Sequence, residues 1–343
     1  MATSYERRWE TRRGGGRSVA DEARESYYGL PVIHRPHWKW LIILYFFLGG
    51  ISGASYVIAT ISRLVGGPDG RRITRAGRYL SLAALIPSPV LLILDLGRPE
   101  RFHHMLRVLK LRSPMSVGTW VLTLFGGFCG LSALIQAAED GLLGETVFLA
   151  RLLRSLPAGA IGAAGSVFGF LLAGYTGVLL AMTAVPLWLK NYFLMGPLFL
   201  ASAMSNATAA ITLVLALARG TSHQTLKRLE RLDLIALTAE LGLLLAARMN
   251  AGTRIAQPLR EGRLGLIYRW GVLGAGITGP LALLASSALL RGKGPARLVA
   301  ASAGALGLAG GLMFRYLMVM AGRASADDPQ ATFEFTRRNG GRM

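Results

Sequence analysis

The sequence predicts an all-α integral membrane protein with eight transmembrane helices. Three observations carry that expectation. Charged residues make up only 16% of the 343 positions and hydrophobic residues 52%, whereas a soluble domain carries roughly 25% charge. The basic residues fall in short segments between long uncharged stretches, the pattern of a polytopic helical protein. Those stretches are also long enough to span hydrocarbon. A formal net charge of +20 in isolation fits a nucleic-acid partner, but its distribution points to membrane lipid and no nucleic acid.

The first span, residues 40–61, has 22 positions without a charge, about 33 Å at roughly 1.5 Å per residue, against a hydrocarbon core of roughly 30 Å. The second, 79–96, holds a Pro87-Ser88-Pro89 kink and a single charge, Asp95, at its far end. Residues 115–138 and 158–189 are the uncharged third and fourth, the latter long enough to tilt or to end in an interfacial turn at Pro186. Residues 191–218 form the fifth. The sixth, 232–247, is shorter and contains Asp233 and Glu240. Residues 270–290 and 298–322 complete the set, the last interrupted by Arg315, which either snorkels or faces the bundle interior.

Residues 1–37 form a polar basic tail without the apolar core of a secretory signal. Residues 38–190 hold the first four expected spans, 191–322 the last four, and 323–343 are a polar C-terminal tail. Between spans three and four, 142–156 has the alternation of an interfacial amphipathic helix. Glycines within the spans, Gly49, Gly50, Gly53, Gly126, Gly127, Gly130, Gly174 and Gly177, suit close helix packing. The terminal side carries 23 basic residues against 14 on the other, which places both termini in the cytoplasm.

Cys129 is the single cysteine, so this protein cannot hold an iron-sulfur cluster or a structural zinc. All five histidines lie outside the spans, which leaves no facing imidazole pair for an intramembrane haem. His103 and His104 are adjacent and point about 100° apart on a helix, a poor metal site. The junction from Asp95 to His104 gathers acid, base and imidazole at one boundary: Asp95 follows sixteen uncharged residues and is spaced to pair with Arg98. The plain alternative is an interfacial loop whose arginines meet lipid phosphates. Tyr45 is about 7 Å deep by helical rise, Ser116 and Trp120 open span three beside the basic loop, and Tyr175 is placed deeper, near the middle of span four. Two aromatic hydroxyls near a carboxylate-arginine pair suit a flat carbonyl-bearing lipid such as a quinone, although each tyrosine alone also suits packing. Glu240 is about 12 Å deep, so it is expected to be protonated or paired.

These residues carry a family resemblance. Tyr45 to Ala54 (YFFLGGISGA), Asp95 to Phe102 (DLGRPERF), Ser113 to Trp120 (SPMSVGTW), Tyr175-Thr176-Gly177 and Pro186-Leu187-Trp188 together resemble the NrfD/PsrC family of polysulfide reductase membrane subunits. The likeness runs from about Trp38 to Asn206, and later spans match only in hydropathy and number. It implies two four-helix bundles, the first over 38–190 and the second over 191–322, and a quinone, menaquinone or ubiquinone, in the first, with Tyr45 and Tyr175 lining the pocket. It also implies that the loop after Asp95 faces an iron-sulfur subunit, with a molybdopterin or other redox subunit beyond it. Some relatives have histidine where this chain has Tyr45. No haem, cluster or metal is implied in this subunit, and the place implied is the bacterial inner membrane.

The expected function is therefore that of a quinone/quinol-binding subunit of a multi-subunit respiratory oxidoreductase, not catalytic alone. Asp95, Arg98 and Glu240 are the expected proton-handling residues, and Tyr45, Tyr175, His103, His104, Ser116 and Trp120 the expected quinone-site residues. Two other classes stay open: a secondary transporter using Glu240 and Arg315, and a purely structural membrane anchor.

Overall fold

The structure, a computed structural model, describes residues 33, 36, 38–144, 147–218, 220–287 and 293–329. Among these residues every regular element is helical. The tails, with His34 and His37, lie outside the described residues. Six helices are long and apolar enough to cross a membrane: Trp40–Val65, Asp69–Leu94, Pro114–Glu139, Ala158–Ala181, Tyr192–Leu217 and Arg297–Asp327.

Helix α1 (Trp40–Val65) is uncharged for most of its length and ends at Gly66. The second span is two pieces, α2 (Gly67–Leu85) and α3 (Pro87–Leu94), joined at Ile86. The prolines at 87 and 89 lack the N–H that would continue the ladder, which breaks the helix there. A 3-10 helix, Pro99–Leu106, crosses the boundary. Helix α4 (Pro114–Glu139) starts where the Ser113 hydroxyl accepts from the Ser116 N–H and Pro114 occupies the first turn. The amphipathic segment forms a helix only over α5 (Phe148–Ser155). Residues 145 and 146 lie outside the description.

Helix α6 (Ala158–Ala181) is shorter than the stretch 158–189 because Pro186 starts a separate short helix, α7 (Pro186–Lys190), after a turn. Helix α8 (Tyr192–Leu217) follows and packs against α1 and α6, and also against the second-half helices α9 (His223–Ile255) and α12 (Lys293–Asp327). Between the last two come α10 (Gly262–Leu266), a π-helix over Ile267–Thr278 and α11 (Gly279–Ser287).

The expected sixth and seventh spans fall in α9 and in the π-helix with α11, and neither is a long apolar helix of the kind the other six are. The reasons differ. Helix α9 brings Asp233, Glu240 and Arg248 into one continuous helix, and the Ile267–Ser287 region is split by its change of helical pitch. Glycines set the closest approaches: Gly53 lies against the Gly169 carbonyl and Gly177 against that of Met195, leaving no space for a side chain. Gly127 and Gly130, by contrast, have no neighbour within reach.

Candidate functional site

One end of the bundle is built by α1, α3, α4 and α6. Tyr45 on α1 is 3% exposed, its ring folded back over Gly49. It lies within electrostatic reach of Tyr175 on α6. The Tyr175 hydroxyl donates to the Pro114 carbonyl in the first turn of α4. Its ring covers Gly118, where a Cβ would come within 2.5 Å of it. Tyr175 is thus not at mid-span, the place that the uncharged stretch 158–189 implies. Once Pro186 has ended that span early, Tyr175 stands six residues from the last residue of α6, level with the start of α4.

Two turns into α4, the Trp120 indole N–H is buried and finds no hydrogen-bond partner among the described residues. A buried donor of this kind costs free energy unless something accepts from it. Ser116 has its hydroxyl engaged: it accepts from the Lys110 N–H at 3.0 Å and donates to the Val108 carbonyl at 3.1 Å, tying the basic loop to α4. Beside it, an apolar cavity of about 250 Å³ opens between α3, α4 and the 3-10 helix, lined by Pro89, Ile93, Leu96, Phe102, Leu106 and Thr119.

The boundary residues are more open. Asp95 caps α3 and makes no ion pair with Arg98, which is exposed. The turn between them carries Arg98 away from the helix axis, so three-residue spacing does not place the two side chains together. Partial burial pushes the Asp95 carboxyl above its usual range, and Lys39 opposes that shift. His103 and His104 are exposed, with ring centroids 4.4 Å apart. Among the described residues no three His, Cys, Asp or Glu side chains stand together as a metal site.

A second polar cluster lies at the centre of the helices. Arg315 on α12 faces the interior and is 0% exposed. It donates to the Ser202 hydroxyl on α8 and lies over the Phe199 and Phe314 rings at 5.2 and 5.0 Å. Glu240 on α9, 4% exposed, faces the Ser202 hydroxyl and the Arg315 charge. Asp233, seven residues earlier on the same face, accepts from the Ser205 hydroxyl at 2.9 Å. Gly50 lies beside the Arg315 guanidinium, one turn along α1 from Tyr45. The aromatic site and the charged cluster are therefore neighbours through α1.

Comparison with known proteins gives the family. Residues 33–326 match the family described as Polysulphide reductase, NrfD. The chain belongs to the NrfD family. This NrfD protein is a multi-pass membrane protein, and the family match takes in the second half as well as the first, beyond the resemblance visible up to Asn206. It is similar to one of the chains of the polysulfide reductase of Wolinella succinogenes, 28% identical over 265 residues, covering 72% of this sequence and 82% of the relative. It is also similar to one of the subunits of the selenate reductase of Mesobacillus selenatarsenatis, 26% identical over 88 residues, covering 26% of this sequence and 20% of that protein.

Sequence reasoning missed two members of the NrfD protein's polar interior. Arg78 is 2% exposed and donates to the Ser132 carbonyl at 3.3 Å, beside a Tyr56–Ser132 hydroxyl contact of 2.8 Å. It follows Arg71, Arg72 and Arg75 in the sequence, so it looked like one more boundary cation. Only the helical register of α2 turns it inward. Ser202, which accepts from Arg315 in the second cluster, carries no sequence signal, because small hydroxyl residues are common in membrane helices.

Proposed function

We propose that this protein is the quinone/quinol-binding membrane subunit of a multi-subunit respiratory oxidoreductase in the bacterial inner membrane. Its eight spans would form two four-helix bundles, with the more charged α9 and the pitch-broken Ile267–Ser287 region supplying the remaining two spans. The observation that carries the reading is buried Tyr45 within electrostatic reach of Tyr175, whose hydroxyl is held by the first turn of α4. Two phenols fit a flat ligand with carbonyl oxygens, the buried Trp120 N–H on α4 is a donor without a partner among the described residues, and the 250 Å³ apolar cavity between α3, α4 and the 3-10 helix suits a lipid tail.

A bound quinone supplies two-electron, two-proton chemistry. The protein's own part is to orient and to handle protons. Trp120 and Tyr45 offer donors toward carbonyl oxygen, and the Pro114 carbonyl holds the Tyr175 phenol in place. Asp95, raised by burial, is suited to exchange protons at the boundary. His103, His104 and Arg98 lie on the exposed turn that would meet an iron-sulfur partner, together with the exposed apolar residues Val108, Leu109 and Leu111. The buried cluster of Glu240, Arg315 and Asp233 is the specific observation that keeps a transporter reading in play.

Purifying the native complex tests the proposal. Quinone and an iron-sulfur subunit are expected to co-purify, cross-links from residues 98–112 should reach that subunit, and the isolated membrane subunit should show no cluster EPR signal. A cluster signal from it alone, or solute uptake without quinone-linked turnover, would refute the reading. For Glu240, the variant Glu240→Gln keeps the hydrogen bonding but cannot exchange a proton. The expected result is a complex that still assembles, at lower thermal stability because Arg315 loses the carboxylate it faces, with slowed quinone-linked turnover; a wild-type rate in an assembled complex would assign Glu240 to packing.

A further inference from the structure

The membrane boundary opposite the Asp95 turn holds a pair of joined cavities that the quinone site does not use. One is a polar vestibule of about 750 Å³ between the end of α1, the start of α2 and the end of α4. It is lined by the guanidiniums of Arg63, Arg71, Arg72 and Arg75 and by two carboxylates, Glu139 and Asp140. Both carboxylates are already engaged. Arg63 meets Glu139 through two bonds of 2.9 and 2.6 Å, and Asp140 takes Arg75 at 2.9 Å and the Tyr79 hydroxyl at 2.7 Å. Four cations against two anions leave the vestibule positive.

The second cavity, about 640 Å³, is a groove between α2 and α8 that begins at the same Arg72 and Arg75. Away from the arginines its walls become apolar: Leu80 and Ala83 on α2 face Val214 and Leu215 on α8. Ala76, Leu80 and Ala83 follow the spacing of one helix face, so the groove runs along the helix into the hydrocarbon zone. Tyr79 stands where polar and apolar parts meet, the usual position of an aromatic at the headgroup level.

A positive chamber at headgroup depth, sharing Arg72 and Arg75 with a mostly apolar groove along α2 and α8, has the chemistry of one class of molecule. We propose that this NrfD protein holds an anionic phospholipid, its phosphate in the Arg63–Arg75 vestibule and an acyl tail in the α2/α8 groove. The lipid joins α2 to α8 and so fastens the second span to the helix that contacts both halves of the molecule. Its place at the far end of α2 keeps it separate from the Tyr45 site, so the inference stands independently of quinone binding.

The test is native mass spectrometry on the whole complex, delipidated and then titrated with phosphatidylglycerol, with phosphatidylcholine as the zwitterionic control. Phosphatidylglycerol should be retained and phosphatidylcholine should not, and millimolar inorganic phosphate should fail to displace the lipid. The Arg71→Gln/Arg72→Gln double variant should bind about thirtyfold more weakly, taking about 1 kcal/mol per arginine near the surface. Ala83→Phe fills the groove and leaves every arginine in place; it should abolish retention. Equal binding of the two lipids, displacement by phosphate alone, or wild-type retention in Ala83→Phe would each overturn the proposal. Because Arg71, Arg72 and Ala83 are all exposed, at least one variant should fold and report.

Discussion

Gly118→Ala should reduce quinone-linked turnover about a hundredfold while leaving the complex assembled, the scale expected when a reacting group is displaced by about 1 Å. The added methyl carbon would come within 2.5 Å of Cε1 and 2.6 Å of the hydroxyl oxygen of Tyr175. Neither distance is tolerable. The tyrosine is the movable partner, so its ring swings away and its hydroxyl leaves the Pro114 carbonyl that positions it. Quinol oxidation by the purified complex measures the effect, with Tyr175→Phe as the comparison that removes only the hydroxyl. Turnover at the wild-type rate in Gly118→Ala would separate Tyr175 from the site.

Arg315→Met should be the most destabilising single change in the second half. The methionine keeps an apolar stem of similar length but withdraws the one charge that balances Glu240 at the centre of the helices. Removing one partner from a buried charged cluster costs about 3–5 kcal/mol, and Arg315 and Glu240 are 0% and 4% exposed. The loss should appear as early thermal unfolding and poor recovery of the assembled complex. Adding Glu240→Gln should restore much of it, because two neutral side chains no longer leave an unpaired charge. A double-mutant cycle with no coupling between positions 240 and 315 would show that the two do not act together.

The membrane character, the six long apolar helices and the family were all legible in the sequence, since each rests on local composition or on short contiguous motifs. Uncharged length alone makes α1, α4, α6 and α8 spans, and Pro87 and Pro186 mark their breaks by removing a backbone donor. The same local reading went astray wherever a neighbour decides the outcome. It paired Asp95 with Arg98 by spacing, and the turn before the 3-10 helix separates them. It left Arg315 between two fates, and the Ser202 hydroxyl with two phenylalanine rings holds it inside. It counted Arg78 among boundary cations, and the packing of α2 buries it against α4. A charge in a membrane helix is settled by which polar groups face it from other helices, and no residue's own neighbours in sequence contain that information. Tertiary packing alone therefore set Tyr175 level with the first turn of α4 and placed Gly50 of α1 beside Arg315.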